Sequence, residues 1–576
     1  MISISGGESK MERKIVLVVI LVVISATAFP VAGLLPTKAG ITEQMKNINY
    51  GNTGASAADD IWPMYRYDPA NTGCSPYLAP FTNHVKWKHN IGSSIYQSTP
   101  IVYGDKIYIN TNWEYKDLSK SNEPQKKQSR IEFLQSLIEQ QNGASPGVYC
   151  LDAKTGSQVW YHGMDAPADP AIVNGKMYLT DLNPSTYYST LYCLDIETGG
   201  TLWQEPLGTL VLSPTISANN RLYLGCMDYN SYSGSLQCYD LNGSLKWNYA
   251  LPGTEVIWFS APAVSGGYVT FISSDMYSYY YSGHLYCLNA LTGQFSWSHP
   301  VFSFGMLFYR TQSPACANGD VYVSDFNLDS YLSYLKCYDL ATGTLHWTAN
   351  MQQSFSLATP AISNDSVYVT ATDLATYNSW LYRINLNGSV RWMALLYSAQ
   401  SFFIGSPICS ENKVYISPGS MYSNLNQLLC VDIEGGKLDW TYNLDYESLG
   451  EASFGDGTAY MVDYSGNVYA FEDVLKVQPV GGLFGVGALI KNTGNTSLSN
   501  INWTIFVTGG MLNMVDRVGN GTISEIQAGK SKTARLIPVI GLGKVKIFVY
   551  VSMKGMSPMK IVKQGLILGS VSIILP

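Results

Sequence analysis

The chain has 576 residues, more than one ordinary hydrophobic core accommodates, so a repeat array or several domains are expected. Charged residues make up 13%, against about 25% in average globular proteins, and aromatic residues another 13%, which favours an all-β protein and excludes a disordered one. The net charge of −7, without a block of Lys and Arg, argues against a nucleic-acid partner.

The first 33 residues have the pattern of an export signal. A positively charged start, an apolar run and a small-residue cleavage site follow one another at 10–14, 15–24 and 25–28. An uncleaved membrane anchor is the alternative, because residues 15–33 are uncharged over 19 positions, just long enough to cross a bilayer. Either way, the rest of the chain is expected outside the cytoplasm, secreted or at the cell surface, after a flexible linker at 34–59.

A repeated unit fills residues 60–474, and its tryptophans are spaced by 43 to 50 residues. Seven copies of one half of the unit end in a glycine turn and a tryptophan, as in "YCLDAKTGSQVW" at 149–160 and "KCYDLATGTLHW" at 336–347. In every copy a glycine lies four residues before the tryptophan. This constant offset indicates that the turn sets the register of the strand that follows it.

Eight copies of the other half predict hairpins, from "TPIVYGDKIYI" at 99–109 to "ASFGDGTAYMV" at 452–462. Four strands per unit is the pattern of a propeller blade. Only seven outer strands follow the eight third strands, so the eighth is assigned to the N-terminal "HVKWKHNIG" around Trp87. We therefore expect an eight-bladed β-propeller of four-stranded antiparallel blades, in which this strand closes the last blade beside "GNVYAFED" and leaves no sheet edge exposed.

Most of the ten cysteines have repeat positions. Equivalent residues of neighbouring blades lie about 10 Å apart, beyond the separation of roughly 7 Å that a disulfide permits. Six cysteines at one repeat position are thus predicted to be small buried hydrophobes, namely Cys150, Cys193, Cys238, Cys287, Cys337 and Cys430. Cys316 and Cys409 share a second position, whereas Cys74 and Cys226 have no assigned partner.

The block "WPMYRYDPANTG" at 62–73, together with the repeated units, resembles the PQQ-like (pyrroloquinoline-quinone-like) propeller proteins over residues 60–473. In that family the tryptophan of the outer strand packs between blades. The resemblance therefore implies a structural role for eight tryptophans, which are Trp87, Trp160, Trp203, Trp247, Trp297, Trp347, Trp392 and Trp440.

The resemblance also bears on catalysis. Quinoprotein dehydrogenases of this family bind the quinone and Ca²⁺ over the central channel, with a disulfide between adjacent cysteines and a catalytic Asp. The sequence contains no adjacent cysteine pair, and no residue can be matched to that Asp. Other members, such as outer-membrane assembly lipoproteins, are non-catalytic scaffolds. We therefore predict no catalytic residue, no metal and no cofactor, and PQQ with Ca²⁺ is the disfavoured alternative.

The loops between strands two and three and the segments that join blades share one face, and they are long and aromatic. Exposed aromatic and apolar surface is typical of an interaction site, although these side chains could instead fold inward and plug the channel mouth. The candidate partner-binding residues, here called the aromatic rim, are Trp258, Phe259, Tyr279, Tyr280, Tyr281, Phe302, Phe304, Phe308, Tyr309, Arg310, Phe402 and Phe403.

Two segments fall outside the repeat. Residues 113–146 interrupt the first blade with apolar residues at helical spacing and predict a helical insertion, with a flexible surface loop as the alternative. Residues 475–576 alternate apolar and polar positions and predict a small Ig-like β-sandwich, whose "KNTGN" resembles CARDB-type modules of secreted prokaryotic proteins.

These patterns lead to one main functional hypothesis and two alternatives. The main hypothesis is an exported, non-catalytic binding or scaffold protein whose aromatic rim binds a protein or another extracellular partner. The first alternative is a polysaccharide-binding protein of the cell surface, and the second is a PQQ-dependent dehydrogenase. Contact with a membrane is expected only through an uncleaved N-terminal segment.

Overall fold

The computed structural model describes fifteen stretches of the chain: 60–95, 98–111, 145–183, 185–228, 230–275, 282–303, 312–352, 354–363, 365–373, 375–398, 405–417, 426–448, 450–494, 496–553 and 558–575. The predicted export signal, the linker and nearly all of the predicted insertion at 113–146 lie outside these stretches. Among the described residues, no helix has the length and apolar character needed to cross a membrane.

Short antiparallel strands account for almost all of the regular structure between residues 60 and 474. They are β1 (Asp60–Trp62), β2 (Val85–Asn90), β3 (Ile101–Tyr103), β4 (Lys106–Asn110), β5 (Gly147–Asp152), β6 (Gln158–Gly163), β7 (Ala171–Val173), β8 (Lys176–Thr180), β9 (Thr190–Asp195), β10 (Thr201–Pro206), β11 (Leu210–Val211), β12 (Ile216–Ala218), β13 (Arg221–Asp228), β14 (Ser233–Asp240), β15 (Leu245–Ala250), β16 (Glu255–Val256), β17 (Ala263–Ser265), β18 (Tyr268–Ile272), β19 (Ser274–Asp275), β20 (Ser282–Asn289), β21 (Phe295–Phe302), β22 (Ala315–Ala317), β23 (Asp320–Asn327), β24 (Leu332–Asp339), β25 (Leu345–Asn350), β26 (Ser354–Phe355), β27 (Ala361–Ile362), β28 (Ser366–Asp373), β29 (Ser379–Asn385), β30 (Val390–Tyr397), β31 (Pro407–Cys409), β32 (Lys413–Ile416), β33 (Gln427–Asp432), β34 (Leu438–Asn443), β35 (Ser453–Gly455), β36 (Thr458–Val462) and β37 (Asn467–Glu472).

These strands form a series of four-stranded antiparallel sheets, so the all-β prediction is confirmed. In order of hydrogen bonding, sheets 1 to 8 are β3-β4-β5-β6, β7-β8-β9-β10, β12-β13-β14-β15, β17-β18-β20-β21, β22-β23-β24-β25, β27-β28-β29-β30, β31-β32-β33-β34 and β35-β36-β37-β2. The strands β1, β11 and β26 extend sheets 1, 3 and 6, and β16 pairs with β19.

Sheet 8 takes its fourth strand from the N-terminal part of the chain. Strand β2 pairs antiparallel with β37, and Trp87 lies opposite Ala470. Strand β37 lies within "GNVYAFED", the segment beside which the count of strands predicts Trp87. The other seven sheets are each made from consecutive parts of the sequence.

Each turn between a third and a fourth strand rests on a tryptophan of the preceding sheet. Gly343 in sheet 5, for example, has a φ of +73°, and a Cβ there would lie 2.7 Å from the ring of Trp297 in sheet 4. The same contact recurs at Gly156–Trp87, Gly199–Trp160, Gly243–Trp203, Gly293–Trp247, Gly388–Trp347 and Gly436–Trp392. Glycine is thus needed at these positions both for the left-handed backbone and for the close approach of the ring.

Hydroxyl groups link the starts of the first strands from sheet to sheet. The Ser313 hydroxyl accepts the N–H of Ala261 at 2.9 Å, the Thr359 hydroxyl accepts the N–H of Ser313 at 2.9 Å, and the Ser406 hydroxyl accepts the N–H of Thr359 at 3.0 Å. In the sequence these hydroxyl residues stand just before the proline that opens each hairpin. Buried N–H groups that the sheets leave unpaired are satisfied in this way.

Residues 475–575 form two further sheets. Their strands are β38 (Leu475–Val480), β39 (Gly482–Leu483), β40 (Val486–Asn492), β41 (Leu498–Gly509), β42 (Val515–Ile526), β43 (Ser531–Leu536), β44 (Gly541–Ser552), β45 (Met559–Gly569) and β46 (Val571–Ile574). The sheets have the orders β38-β40-β43 and β39-β46-β45-β44-β41-β42, and a short 3-10 turn, Met511–Asn513, follows β41. Both sheets contribute buried Val, Ile and Leu to one hydrophobic core.

Candidate functional site

A segment near the N-terminus, residues 62–75, crosses the free edges of the first strands, and we call it the plug segment. Its carbonyls accept backbone N–H groups from five sheets, at Pro63–Ile172 (2.8 Å), Pro69–Val264 (2.6 Å), Ala70–Cys316 (2.8 Å), Thr72–Ile362 (2.8 Å) and Gly73–Cys409 (2.7 Å). Because so short a segment reaches the first strands of five sheets, these strands must face a common axis, which the plug segment fills.

A buried ion pair lies in the plug segment. The Arg66 guanidinium is fully buried and donates to the Glu451 carboxylate at 3.1 Å and to the carbonyls of Pro360 and Pro407 at 3.0 and 2.9 Å. Its planar fork suits several acceptors at once. Gly73 makes room for it, since a Cβ there would lie 2.3 Å from an Arg66 nitrogen.

Two more polar side chains of the plug segment are buried. The Asn71 amide donates to the carbonyls of Ala261, Pro262 and Pro314 at 3.1 to 3.2 Å. Burial raises the pKa of Asp68 to about 6, although hydrogen bonds from Thr72 and the charge of Arg66 oppose the increase. The plug segment therefore cross-links several sheets through polar contacts as well as through its backbone.

A disulfide fastens the end of the plug segment. Cys74 is bonded to Cys409 of sheet 7; their Cα atoms are 4.3 Å apart, although the two residues are 335 positions apart in sequence. Sequence analysis left Cys74 without a partner because Cys409 holds a repeat position, and only the plug segment brings Cys74 beside it. The six cysteines of the first repeat position are free and buried, as predicted, and so are Cys226 and Cys316.

The plug segment and its contacts do not offer a site for a quinone cofactor. The donors of Arg66 and Asn71 that could hold quinone carboxylates are already engaged by Glu451 and by backbone carbonyls. The disulfide in this region joins two distant cysteines rather than adjacent ones. We therefore derive no reaction step through PQQ.

The hairpins between strands two and three have an unusual residue in their turns. In the turn after β13, the Asp228 carboxylate accepts the N–H of Asn230, and the Asp228 carbonyl accepts the N–H of Tyr232 at 2.9 Å. The glycine turns on the opposite face have the same pattern, since Asp152 accepts the N–H of Gly156 at 2.8 Å. The left-handed position of this turn is therefore occupied by a tyrosine, whereas the turns between strands three and four have glycine there.

This substitution recurs in four hairpins, which we call the tyrosine turns. Their tyrosines have φ values of 52° to 58° and are Tyr187, Tyr232, Tyr331 and Tyr377. A bulky residue in this conformation costs roughly 1–2 kcal/mol relative to the right-handed region. Tyr331 and Tyr377 are 61% and 47% exposed, so burial of the ring does not offset that cost. Backbone strain of this kind clusters at functional sites.

Sequence analysis missed the tyrosine turns, although a signal for them was present. An Asp or Asn precedes each tyrosine by four residues, at Asp228–Tyr232, Asn327–Tyr331, Asp373–Tyr377 and Asn183–Tyr187. The same spacing separates Asp152 from Gly156 and Asp339 from Gly343. A comparison of the two sets of turns would have identified the tyrosines as occupants of a glycine position.

The aromatic rim is described only in part. Trp258, Phe259 and Phe302 are buried, with at most 8% exposure, so their side chains do not form the exposed surface on which that prediction rests. Phe302 packs edge-on against Phe326 and Phe355, which explains its burial. The other candidates, Tyr279, Tyr280, Tyr281, Phe304, Phe308, Tyr309, Arg310, Phe402 and Phe403, lie outside the described residues.

A polar cluster surrounds the carboxylate of Glu255 in β16. The Glu255 carboxylate accepts hydrogen bonds from the hydroxyls of Ser273 at 2.5 Å and Tyr286 at 3.0 Å, and it lies 2.9 Å from His284 Nδ1. Burial, followed by the nearby carboxylate, raises the pKa of Tyr286 above its ordinary value. Since its neighbours already engage Glu255, the cluster has the features of a local structural network.

One group of side chains has the composition of a metal site. Ligand atoms of Asp320, Cys337 and His346 all lie within 4.8 Å of one another. Burial raises the pKa of the Cys337 thiol to about 12, which opposes the thiolate that a metal requires. His346 is 3.1 Å from Asp320, and the Lys413–Asp439 ion pair occupies the equivalent positions in sheet 7. The group is therefore explained as a cross-strand contact between a histidine and a carboxylate beside a repeat cysteine.

Repeated four-stranded sheets, interlocked by tryptophan and glycine, define a PQQ-like β-propeller repeat protein. Residues 144–394 and 333–474 match the family model described as "Outer membrane protein assembly factor BamB". These stretches cover more than half of the chain, which therefore belongs to this family. A comparison with curated proteins gave no match.

Three solved structures are similar in fold. BamB from Moraxella catarrhalis is 14% identical with a TM-score of 0.47, over 68% of this chain and 99% of that one. A europium-containing methanol dehydrogenase is 12% identical with a TM-score of 0.48, over 77% and 91%. The computationally designed Ika8 protein is 16% identical with a TM-score of 0.46, over 67% and 100%.

Proposed function

We propose that this protein is a non-catalytic binding or scaffold protein that holds an extracellular protein partner on the face of the tyrosine turns. The observation that carries the proposal is the recurrence of tyrosine in a left-handed position that the opposite face gives to glycine. Tyr331 and Tyr377 stay 61% and 47% exposed in this conformation, although the ring of Tyr331 has an edge-on contact with Phe326. Tyr supplies large, rigid contact area at low entropic cost, as protein recognition requires.

We also infer that sheets 1 to 8 are the blades of a closed eight-bladed propeller, followed by an Ig-like sandwich at 475–576. The pairing of β2 with β37 and the contact of Trp87 with Gly156 support closure. In a closed ring, Trp87→Ala and Trp160→Ala should lower the melting temperature by similar amounts. A neutral Trp87→Ala variant beside a destabilised Trp160→Ala variant would contradict closure.

For location, we propose export to the cell envelope or surface. The apolar run and cleavage pattern of residues 1–33 support this location. The description of the matched family as an outer membrane assembly factor is compatible with it. Detection of the protein only in the cytoplasmic fraction of fractionated cells would refute it.

The binding proposal is tested by returning the tyrosine turns to glycine. The double variant Tyr331→Gly and Tyr377→Gly should keep or raise the melting temperature, because glycine relieves the left-handed strain. The same variant should reduce capture of the protein partner from an envelope extract at least tenfold, in line with the hot-spot role of tyrosine. Leu291→Ser, an exposed site in a glycine turn of the opposite face, is the control and should capture normally. Equal capture by all three proteins would overturn the proposal.

A second candidate function is binding of a polysaccharide. The hydroxyls of Thr99, Thr215 and Ser260 are buried at or near the starts of first strands and have no hydrogen-bond partner among the described residues. Buried polar groups normally require one, which a bound water or the hydroxyl of a sugar that displaces it would supply. A glycan array would test this candidate. No binding to any glycan would remove it, whereas binding lost in the Tyr331→Gly and Tyr377→Gly variant would favour it over a protein partner.

The non-catalytic part of the proposal has its own test. Purified protein supplied with PQQ and Ca²⁺ should not reduce an electron-accepting dye in the presence of alcohols or aldose sugars. Dye reduction that depends on the quinone would overturn this part and favour a dehydrogenase.

A further inference from the structure

The end of the C-terminal domain that lies away from the propeller sheets has an uncharged, apolar surface. Strand β38 begins beside Val474, whose carbonyl accepts the N–H of Thr493, so this end of the domain is attached to sheet 8. The antiparallel pairings place four turns at the opposite end, at 481–485, 510–514, 537–540 and 569–570. We call these turns, with Leu542 and Val571 next to them, the apolar tip. None of these residues is charged.

Large apolar side chains of the apolar tip are open to solvent. Leu512 is 86% exposed, Met514 79%, Ile537 61% and Phe484 58%. The four turns are neighbours, since the N–H of Val539 is donated to the Phe484 carbonyl and a Cβ on Gly543 would lie 2.9 Å from the Met511 nitrogen. Contiguous exposed apolar surface of this kind marks an interaction site rather than a stray exposed residue.

Backbone conformation singles out two of these side chains. Phe484 and Leu512 have φ values of 63° and 57°, in the left-handed region that bulky residues avoid. Both project from turns, so neither gains packing within the domain that would compensate for this conformation. Exposed apolar side chains in a strained backbone conformation, such as Phe484 and Leu512, indicate contact with a surface outside the chain.

Charge is divided unevenly along the chain. Residues 475–576 contain eleven Lys and Arg but only Asp516 and Glu525 as acids, a formal charge of +9, whereas the whole chain carries −7. Three of the basic residues, Arg517, Arg535 and Lys544, are exposed and lie two or three positions from an apolar residue of the tip. Three exposed basic residues and one exposed acid, Asp516, therefore lie close to the apolar tip in sequence, on a domain that is basic within an acidic protein.

We propose that the apolar tip inserts into the surface of a lipid bilayer that carries anionic headgroups. Apolar side chains projecting from turns can enter the boundary between headgroups and acyl chains, and basic residues just behind them attract anionic lipids. Strand β41 is 12 residues long, so the tip stands roughly 35–40 Å from the junction with the propeller sheets. The domain would thus hold the tyrosine turns at a distance from the membrane.

The experiment uses the full chain with one introduced cysteine. The eight free cysteines of the described residues are buried and the other two form a disulfide, so an environment-sensitive fluorophore will label Leu512→Cys selectively. Leu291→Cys, on an exposed turn of sheet 4, is the matched control. Each labelled protein is mixed with vesicles of phosphatidylglycerol or of phosphatidylcholine, with and without a quencher attached to the lipid chains.

With phosphatidylglycerol vesicles, we expect the label at position 512 to shift to the blue and to be quenched from within the bilayer, while the label at 291 does neither. An N-terminal anchor would tether both proteins equally, so only the difference between labels reports on the tip. Replacing Arg517, Arg535 and Lys544 by Gln should weaken binding about fivefold per residue.

Two outcomes would overturn the proposal. The first is an unchanged label at 512 in vesicle-bound protein. The second is a shift that occurs without vesicles and grows with protein concentration, which would assign the apolar tip to contact with a second copy of the chain.

Discussion

The interlocking of tryptophan and glycine between sheets makes a quantitative prediction for Gly343→Ala. An alanine Cβ at this position would lie 2.7 Å from Cγ and Cδ2 of Trp297, and the φ of +73° would persist. The left-handed conformation costs roughly 1–2 kcal/mol. The overlap with a ring held by a hydrogen bond to the Leu340 carbonyl costs about 1–3 kcal/mol more. We expect a total destabilisation of about 2–5 kcal/mol.

Gly319→Ala separates these two contributions. Gly319 has a φ of +86°, and nothing lies within 4 Å of the position of its Cβ. The Gly319→Ala variant is destabilised only by the left-handed conformation, which costs roughly 1–2 kcal/mol. The gain from a less flexible unfolded chain is the same for both variants and cancels in the comparison. The difference between the variants therefore measures the contact between sheets 4 and 5.

Equilibrium unfolding in urea, followed by far-ultraviolet circular dichroism, would compare the two variants with the parent protein. We expect Gly343→Ala to be less stable than Gly319→Ala by about 1–3 kcal/mol. Equal urea midpoints for the two variants would refute the reasoning, because the Trp297 ring would then move away from the added methyl group without any loss of stability.

Three further predictions concern the plug segment and the hydroxyl links. Cys74→Ser should lower the free energy of unfolding by about 2–5 kcal/mol, because the bond to Cys409 closes a very long loop. Reduction of the disulfide in the parent protein should have the same effect, and an unchanged urea midpoint would contradict this prediction. Burial raises the pKa of Asp68 to about 6, so the folded protein binds the proton more tightly than the unfolded chain does. The protonated carboxyl therefore contributes about 3 kcal/mol of stability at low pH, and this contribution is lost as the pH rises from about 4 to above 6. Asp68→Asn should remove that share of the pH dependence of unfolding, and parallel pH profiles for the two proteins would exclude it. Thr359→Val leaves the buried N–H of Ser313 without its acceptor and should cost about 1–3 kcal/mol in the same urea assay, whereas a cost near zero would mean that water replaces the hydroxyl.

Much of the fold could be predicted because it repeats. A glycine four residues before each tryptophan marks the turn and the register, and this local pattern needs no knowledge of distant contacts. The six repeat cysteines were predicted to be free and buried for the same reason, and this is confirmed. The pairing of Trp87 with Ala470 followed from counting strands rather than from any local feature.

The candidate site was harder to predict, since burial depends on neighbours that are distant in sequence. Trp258 and Phe302 look like rim residues in the sequence, yet both are buried, and Phe302 packs against Phe326 and Phe355 of other segments. The tyrosines of the tyrosine turns look ordinary until the backbone shows them in a conformation that favours glycine. Each of these tyrosines follows an Asp or Asn by four residues, but this spacing indicates a left-handed position only when it is compared with the glycine turns.

The sequence by itself determined the all-β class, the repeat, its turns and the charge of each part of the chain, because these follow from local patterns and composition. Only the tertiary structure decided that Arg66 reaches Glu451, that Cys74 meets Cys409, and that four uncharged turns of the C-terminal domain converge. These features join residues tens to hundreds of positions apart. Their proximity depends on how complete sheets pack and pair, and no short stretch of sequence records that packing.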